Sequence, residues 1–251
     1  MANPALADRR IRDFTSVDDT SQRMTRLGVA RALGIFTIFG LVGAGFGWHE
    51  GVAAQITSHT ETLMVVAIIT ALFLSFAIMS RPKLARSLGV VYAVLEGFAV
   101  GVISAAYNAQ YHGIVVEAVG ATFAVALVVW FLYGTGIIKV TARLTRIITM
   151  AVLGAIVFYG ATLLVMAFGG PDLDGSGGIL GIGISLVLAA VAASTFLLDF
   201  DRIDKLIASG AGHEYDWYGA FGLLISFIWL YLEILNILGR LRGGGGGSIR
   251  R

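Results

Sequence analysis

Seven stretches of this chain are each long and apolar enough to cross a bilayer, and that property limits the possible folds more than any other. They run roughly over 28–48, 61–80, 87–107, 114–134, 147–169, 178–200 and 218–239. Each is near the 20 residues that a helix rising 1.5 Å per residue needs to traverse about 30 Å of hydrocarbon. Hydrocarbon offers the backbone no hydrogen-bond partners, so runs of this length read as helices. The expected fold is an all-α membrane protein, a seven-transmembrane-helix bundle over residues 27–242, whose short connections leave no room for a second domain. Composition agrees, with 57% of residues apolar and 14% charged, where soluble domains have about half and about a quarter. The chain has no cysteine, which removes disulfides, thiolate metal clusters and thiol chemistry. Its formal charge is only +2, with the basic residues segregated along the chain, and no nucleic-acid partner is expected.

That segregation predicts an orientation. Residues 1–26 form a polar tail in which Arg9, Arg10, Arg12, Arg23 and Arg26 are interleaved with Asp8, Asp13, Asp18 and Asp19. It is too long and too acidic for the start of a cleaved signal peptide and reads as a retained cytoplasmic tail. Basic loops stay in the cytoplasm. The tail with Arg31 holds six bases, the second loop Arg81, Lys83 and Arg86, the fourth Lys139, Arg143 and Arg146, and the sixth Arg202 and Lys205. The first, third and fifth loops hold none. The amino terminus is therefore expected in the cytoplasm and, with an odd number of helices, the carboxyl terminus outside. Arg240, Arg242, Arg250 and Arg251 run against that pattern and are outweighed by the earlier loops. Residues 243–251 read as a flexible glycine-rich tail.

The seventh stretch holds a set of residues foreign to lipid. Gly219, Gly222, Ser226, Trp229, Glu233 and Asn236 recur at spacings of three and four, which stacks them on one helix face. A carboxylate within a membrane helix costs several kcal/mol unless paired, protonated or hydrated, and so marks a candidate functional site. The plainer reading has Glu233 reaching outward to water or capping a neighbouring helix. Glu96 lies about ten residues, roughly 15 Å, into the third helix and so near mid-membrane. It either lines an ion or proton path or is a protonated acid bonded to a neighbouring helix. The sixth helix bears a second stripe, Gly181, Ser185, Leu188, Ala192, Thr195 and Asp199. Counting outward from a turn near residue 211 places Asp199 level with Ser226, and the two stripes are expected to form one seam. Glu96, Asp199 and Glu233 are all expected to face the bundle interior. Gly43 with Gly47, and Gly97 with Gly101, have the four-residue spacing that lets helices approach closely in lipid.

Other chemistries fit poorly. Asp172, Asp174, Ser176 and Gly177 match the opening of a calcium-binding EF-hand loop, but Gly183 stands where the twelfth-position acid is required, so this is read as an ordinary turn. Asp199, Asp201 and Asp204 fail the same pattern, because Asp204 occupies the glycine position. Neither a metal site nor a cofactor is expected. The seventh helix has no lysine for a retinal Schiff base. The four histidines (His49, His59, His112 and His213) lie in loops away from any buried serine, which disfavours a hydrolase. The chain reads as something other than an enzyme.

Four stretches, YAVLEGFAVGVISAAYNAQY, LYGTGIIKVTARLTRII, FLLDFDRID and YDWYGAFGLLISFIWLYLEILNILG, resemble the Bax inhibitor-1 (transmembrane BAX inhibitor motif) proteins, closest to their bacterial YccA-like branch. The resemblance implies a seven-helix fold with the last helix central, a bacterial cytoplasmic membrane, and a pH-sensitive leak for calcium. It implies a sensor made of two aspartates, one at the inner end of helix six and one on helix seven. Asp199 matches the first, while the second falls on Ser226, so a carboxylate pair sharing a proton cannot form with that partner. Asp201, Asp216 and Glu233 are the candidate substitutes. The expected gate is thus Asp199, Ser226 and Asp201, and the expected ion pathway Glu96, Glu233 and Asn236. Arg81, Arg86, Arg143, Arg146 and Arg202 are the bases expected to hold an ionised Asp199. Lipid and cations, calcium and protons among them, are the expected partners. Two alternatives stand beside the leak: a non-transporting protein that binds and modulates a membrane protease or another partner, and a proton-coupled cation exchanger.

Overall fold

The computed structural model describes residues 23–53, 58–169 and 179–243. The polar tail up to residue 22, the turn containing Asp172 and Asp174, and the glycine-rich end beyond Gly243 lie outside the described residues. Among those described, seven helices are long and apolar enough to cross a membrane. They are α1 (Arg26–Ala53), α2 (Ser58–Ser80), α3 (Ala85–Gln110), α4 (Ile114–Gly134), α5 (Ala142–Ala167), α6 (Ile179–Ala208) and α7 (Glu214–Gly243), with a short 3₁₀ turn at Pro82–Leu84 before α3. No strand occurs among the described residues; one isolated bridge joins Arg23 and Gly212.

The helices outrun their apolar stretches. At 1.5 Å per residue the 30-residue α6 and α7 are about 45 Å long, half again the hydrocarbon thickness. Their ends therefore carry charges: Asp201, Arg202, Asp204 and Lys205 ride the last turns of α6, and Glu214 and Asp216 the first turn of α7. Acids at a helix start interact favourably with its dipole. Most bases expected in loops likewise sit on helix ends, Arg86 on α3 and Arg143 and Arg146 on α5. The start of α5 is fixed by Thr141, whose hydroxyl accepts the Leu144 N–H at 3.2 Å.

The turn from α6 to α7 follows from one glycine. Gly210 has φ of 73°, a left-handed conformation that side chains disfavour. The Gly210 N–H reaches the Ile207 carbonyl at 3.0 Å and the Ala211 N–H the Leu206 carbonyl at 3.1 Å, the paired bonds that satisfy a helix's last carbonyls. Asp199 packs on Gly222, and Thr195 meets Ser226. Both pairs are centred between Gly210 and Ala211. The residue level with Ser226 is thus Thr195, and the residue level with Asp199 is Gly222, which corrects the expected register.

The chain divides into two compact units, Met1–Ile103 with Asp199–Ile225, and Ser104–Leu198 with Ser226–Arg251. In the first, α1 and α3 pack backbone to backbone. A Cβ placed on Gly43, Gly47, Gly97 or Gly101 would lie 2.2, 2.1, 2.2 or 2.2 Å from the carbonyl oxygen of Val94, Phe98, Gly40 or Ala44 respectively. The four-residue glycine spacing read from sequence is what permits this approach. Phe36 is fully buried beneath Gly89 and meets Trp217 of α7 edge-on at 5.4 Å, and Tyr92 of α3 meets Phe221 at 5.0 Å. In the second unit Phe227 of α7 meets Phe196 of α6 at 4.8 Å and Phe123 of α4 at 5.7 Å. Within the first unit α7 meets α1 and α3, and within the second it meets α4, α5 and α6.

Candidate functional site

The second unit holds a buried acid. Glu233 is 2% exposed, ten residues and about 15 Å before the end of α7. At that exposure it does not reach water. Its Oε1 accepts the indole Nε1–H of Trp229, one turn earlier on the same face, at 2.8 Å. It also accepts the phenolic O–H of Tyr159 from α5. An indole N–H can only donate, so Oε1 is fixed as acceptor, and a proton taken up at Oε2 would leave both hydrogen bonds in place. The carboxyl can therefore change charge without rearrangement of these two partners.

Further polar groups line α7 on either side. The buried hydroxyls of Ser104 and Tyr231 are 2.6 Å apart. Asn236 Oδ1 accepts Arg240 Nε–H at 3.0 Å, with the Tyr107 hydroxyl at 3.5 Å. Arg242 closes the helix end, donating to Glu117 at 2.6 Å and to the His112 carbonyl at 3.1 Å. Ser226, 4% exposed, has its Oγ 2.8 Å from Thr195 Oγ1, which also lies 2.6 Å from the Ala192 carbonyl. A hydroxyl has one proton, so if Thr195 donates to the carbonyl, Ser226 donates to Thr195. Tyr159, Ser104, Tyr107 and Tyr231 were not singled out in the sequence, whereas Thr195 was read as part of the polar stripe of the sixth helix. The available signal was a tyrosine hydroxyl within an apolar run, which needs a partner once buried.

The first unit gathers Asp199, Asp201, Asp204, Glu214 and Asp216 on the helix ends that flank the α6–α7 turn. Asp199 is half-buried with its Oδ1 3.1 Å from where a Gly222 Cβ would sit, so Gly222 makes room for it. Asp201 pairs with Lys205 one turn along α6. Asp204 takes Nε and Nη2 of Arg26 at 3.0 and 2.9 Å, and Glu214 lies 3.5 Å from Lys83. Asp216 Oδ1 accepts the Thr25 N–H at 2.9 Å, and its carboxylate presses on Gly28, where a Cβ would be 2.1 Å away. The Met24 N–H reaches the Ala211 carbonyl at 2.8 Å, and the Met24 side chain is buried against Gly219. Residues 23–26 thus form a strap across the turn. Glu96 is half-buried on α3, one turn from Tyr92, and makes no hydrogen bond or ion pair among the described residues.

Arg86 stacks over the Trp217 ring at 5.7 Å. Arg81, Arg143, Arg146 and Arg202 are exposed and enter no ion pair among the described residues. The bases that do meet acids around the turn are Arg26, Lys83 and Lys205. Long exposed side chains pair with whichever acid lies nearest on adjoining helix ends, and loop counts do not report that distance. No group of three His, Asp or Glu that could hold a metal ion occurs among the described residues.

No curated protein matches the chain. A family model described as Bax inhibitor 1 like matches residues 3–243, a span that takes in all seven helices and both groups of acids. The chain therefore belongs to the Bax inhibitor 1-like family and is an integral membrane protein.

Proposed function

We propose that the protein is a pH-sensitive leak that lets cations, calcium among them, pass down their gradient, rather than an enzyme. The observation that most supports this reading is Glu233, a carboxyl buried within a membrane-spanning helix and held so that it can change charge in place. Such intramembrane acids mark ion or proton paths. Asn236 and Glu96 are the further polar groups of the path. Asp199, with Ser226 and Asp201, acts as the gate and closes the cytoplasmic end while it is ionised. The family resemblance supports the assignment of Asp199. In this reading the amino terminus faces the cytoplasm, and the membrane is a bacterial cytoplasmic membrane of the YccA-like branch.

Calcium efflux from liposomes holding the purified protein, measured between about pH 5 and about pH 8, tests the proposal. Asp199→Asn, which mimics the protonated form, should leak at both ends of the range. A variant that keeps the parent's pH dependence removes Asp199 from the gate. Flux that requires an opposing proton gradient identifies an exchanger. Complete absence of flux favours a protein that binds a membrane protease or another partner without transport.

A further inference from the structure

The start of α5 concentrates positive charge that forms no ion pair with an acid among the described residues. Lys139, Arg143 and Arg146 fall within eight residues, all are exposed, and none enters an ion pair among the described residues. The described residues of their unit include only two acids, and both are engaged elsewhere: Glu117 pairs with Arg242, and Glu233 is buried against Trp229 and Tyr159. The contrast with the α6–α7 turn is direct, since there Arg26, Lys83 and Lys205 each meet a carboxylate.

The same helix face continues as bare hydrocarbon surface. Arg143 and Arg146 are followed at helical spacing by Ile147, Met150, Leu153 and Val157, which are 54 to 70% exposed. A Cβ added at Gly154, beside that row, would meet nothing within 4 Å. At 26 residues α5 is about 39 Å long and exceeds the hydrocarbon by about two turns, which puts its first turn at headgroup level. A ligand that fits this face must bear a negative headgroup and an apolar tail in that order along the membrane normal. We infer that the surface running from Lys139, three residues before α5, to Val157 on α5 is a binding site for an anionic phospholipid. Arg143 and Arg146 take the phosphate, for which the guanidinium fork is suited. Lys139 adds a third charge, and an acyl chain lies along Ile147, Met150 and Leu153.

Native mass spectrometry of the full chain in a neutral detergent, with phosphatidylglycerol or phosphatidylcholine of matched chains, reads the site directly. The parent should retain phosphatidylglycerol at least about tenfold more strongly than phosphatidylcholine. Each base near an anionic surface contributes about a fivefold factor in affinity. Arg143→Gln with Arg146→Gln should therefore lower phosphatidylglycerol binding about 25-fold while leaving thermal unfolding in lipid-free detergent unchanged. If that double variant does not fold, Lys139→Gln alone should lower binding about fivefold. Equal retention of the two lipids by the parent would overturn the inference, as would a folded double variant that binds like the parent. Displacement of the lipid by equimolar glycerol phosphate would show a soluble-anion site instead. Loss of lipid on self-association of the chain would assign the face to a second copy.

Discussion

Replacing Gly43 and Gly45 by alanine, two residues apart on α1, should have opposite effects on stability. At Gly43 the new methyl would sit 2.2 Å from the Val94 carbonyl oxygen and 3.0 Å from its carbon, and both are backbone atoms that cannot turn aside. Restoring ordinary contact requires α1 and α3 to part by about 1 Å, a gap that forfeits a quarter to a half of each dispersion contact along the seam. Overpacking of this kind costs about 1–3 kcal/mol, and the gain in helix propensity from Gly to Ala returns about 0.5–1. The net expectation is a loss of about 1–2 kcal/mol. Gly45 is exposed, and an added Cβ there has nothing within 4 Å, so only the propensity gain remains, about 0.5–1 kcal/mol. A second consequence follows from the shared seam. Gly97→Ala and Gly101→Ala each force the same separation, so the double variant should fall short of the summed losses by about 1 kcal/mol. Unfolding of the purified protein in mixed micelles measures all five variants. Equal signs at Gly43 and Gly45, or additivity at Gly97 and Gly101 within about 0.3 kcal/mol, would refute a backbone-to-backbone seam.

Two further outcomes follow from the polar contacts. Glu233→Ala leaves the Trp229 and Tyr159 donors buried without their acceptor and should cost about 2–4 kcal/mol, whereas Glu233→Gln keeps a carbonyl oxygen there and should stay within about 1; thermal unfolding in detergent that ranks the two equally would contradict the assigned hydrogen bonds. The Arg26–Asp204 pair, with side chains 78% and 32% exposed, should show a coupling below about 1 kcal/mol in a double-mutant cycle, shrinking as salt is added. A larger, salt-independent value would mean that the pair is not solvated.

Helix existence was legible because hydrocarbon thickness sets a minimum run of apolar residues, and nothing in water imitates seven such runs. Helix ends were not. The stretch from Asp201 to Ala208 has no hydropathy signal, yet it stays helical, and an Asp201–Lys205 pair joins successive turns there. The glycine seam was legible, since the spacing at Gly43, Gly47, Gly97 and Gly101 is itself the packing rule. The α6–α7 register was misjudged by about a turn although its centre was legible: Asp199 lies twelve residues before residue 211 and Ser226 fifteen after it, and an offset of that size is most of a 3.6-residue helical turn. Glu233 was legible as an anomaly, but its partner Tyr159 was not. The neighbourhood of α5 and α7 is a matter of topology, and neither sequence shows a stripe that names the other.

The strap at residues 23–26 imposes a parity on the chain. The Met24 N–H bonds the Ala211 carbonyl at 2.8 Å, so the start of α1 and the turn after α6 share one face of the membrane. Only an even number of crossings can separate them, and the six helices between them supply one. Arg242 applies the same condition independently: its bond to the His112 carbonyl brings the end of α7 to the face that holds the α3–α4 connection, four crossings earlier. A topology in which any one helix between either pair of contacts lies flat or re-enters would have to break the Met24 or the Arg242 hydrogen bond to exist. These two short contacts restrict how the chain can thread the bilayer without reference to where its charges fall.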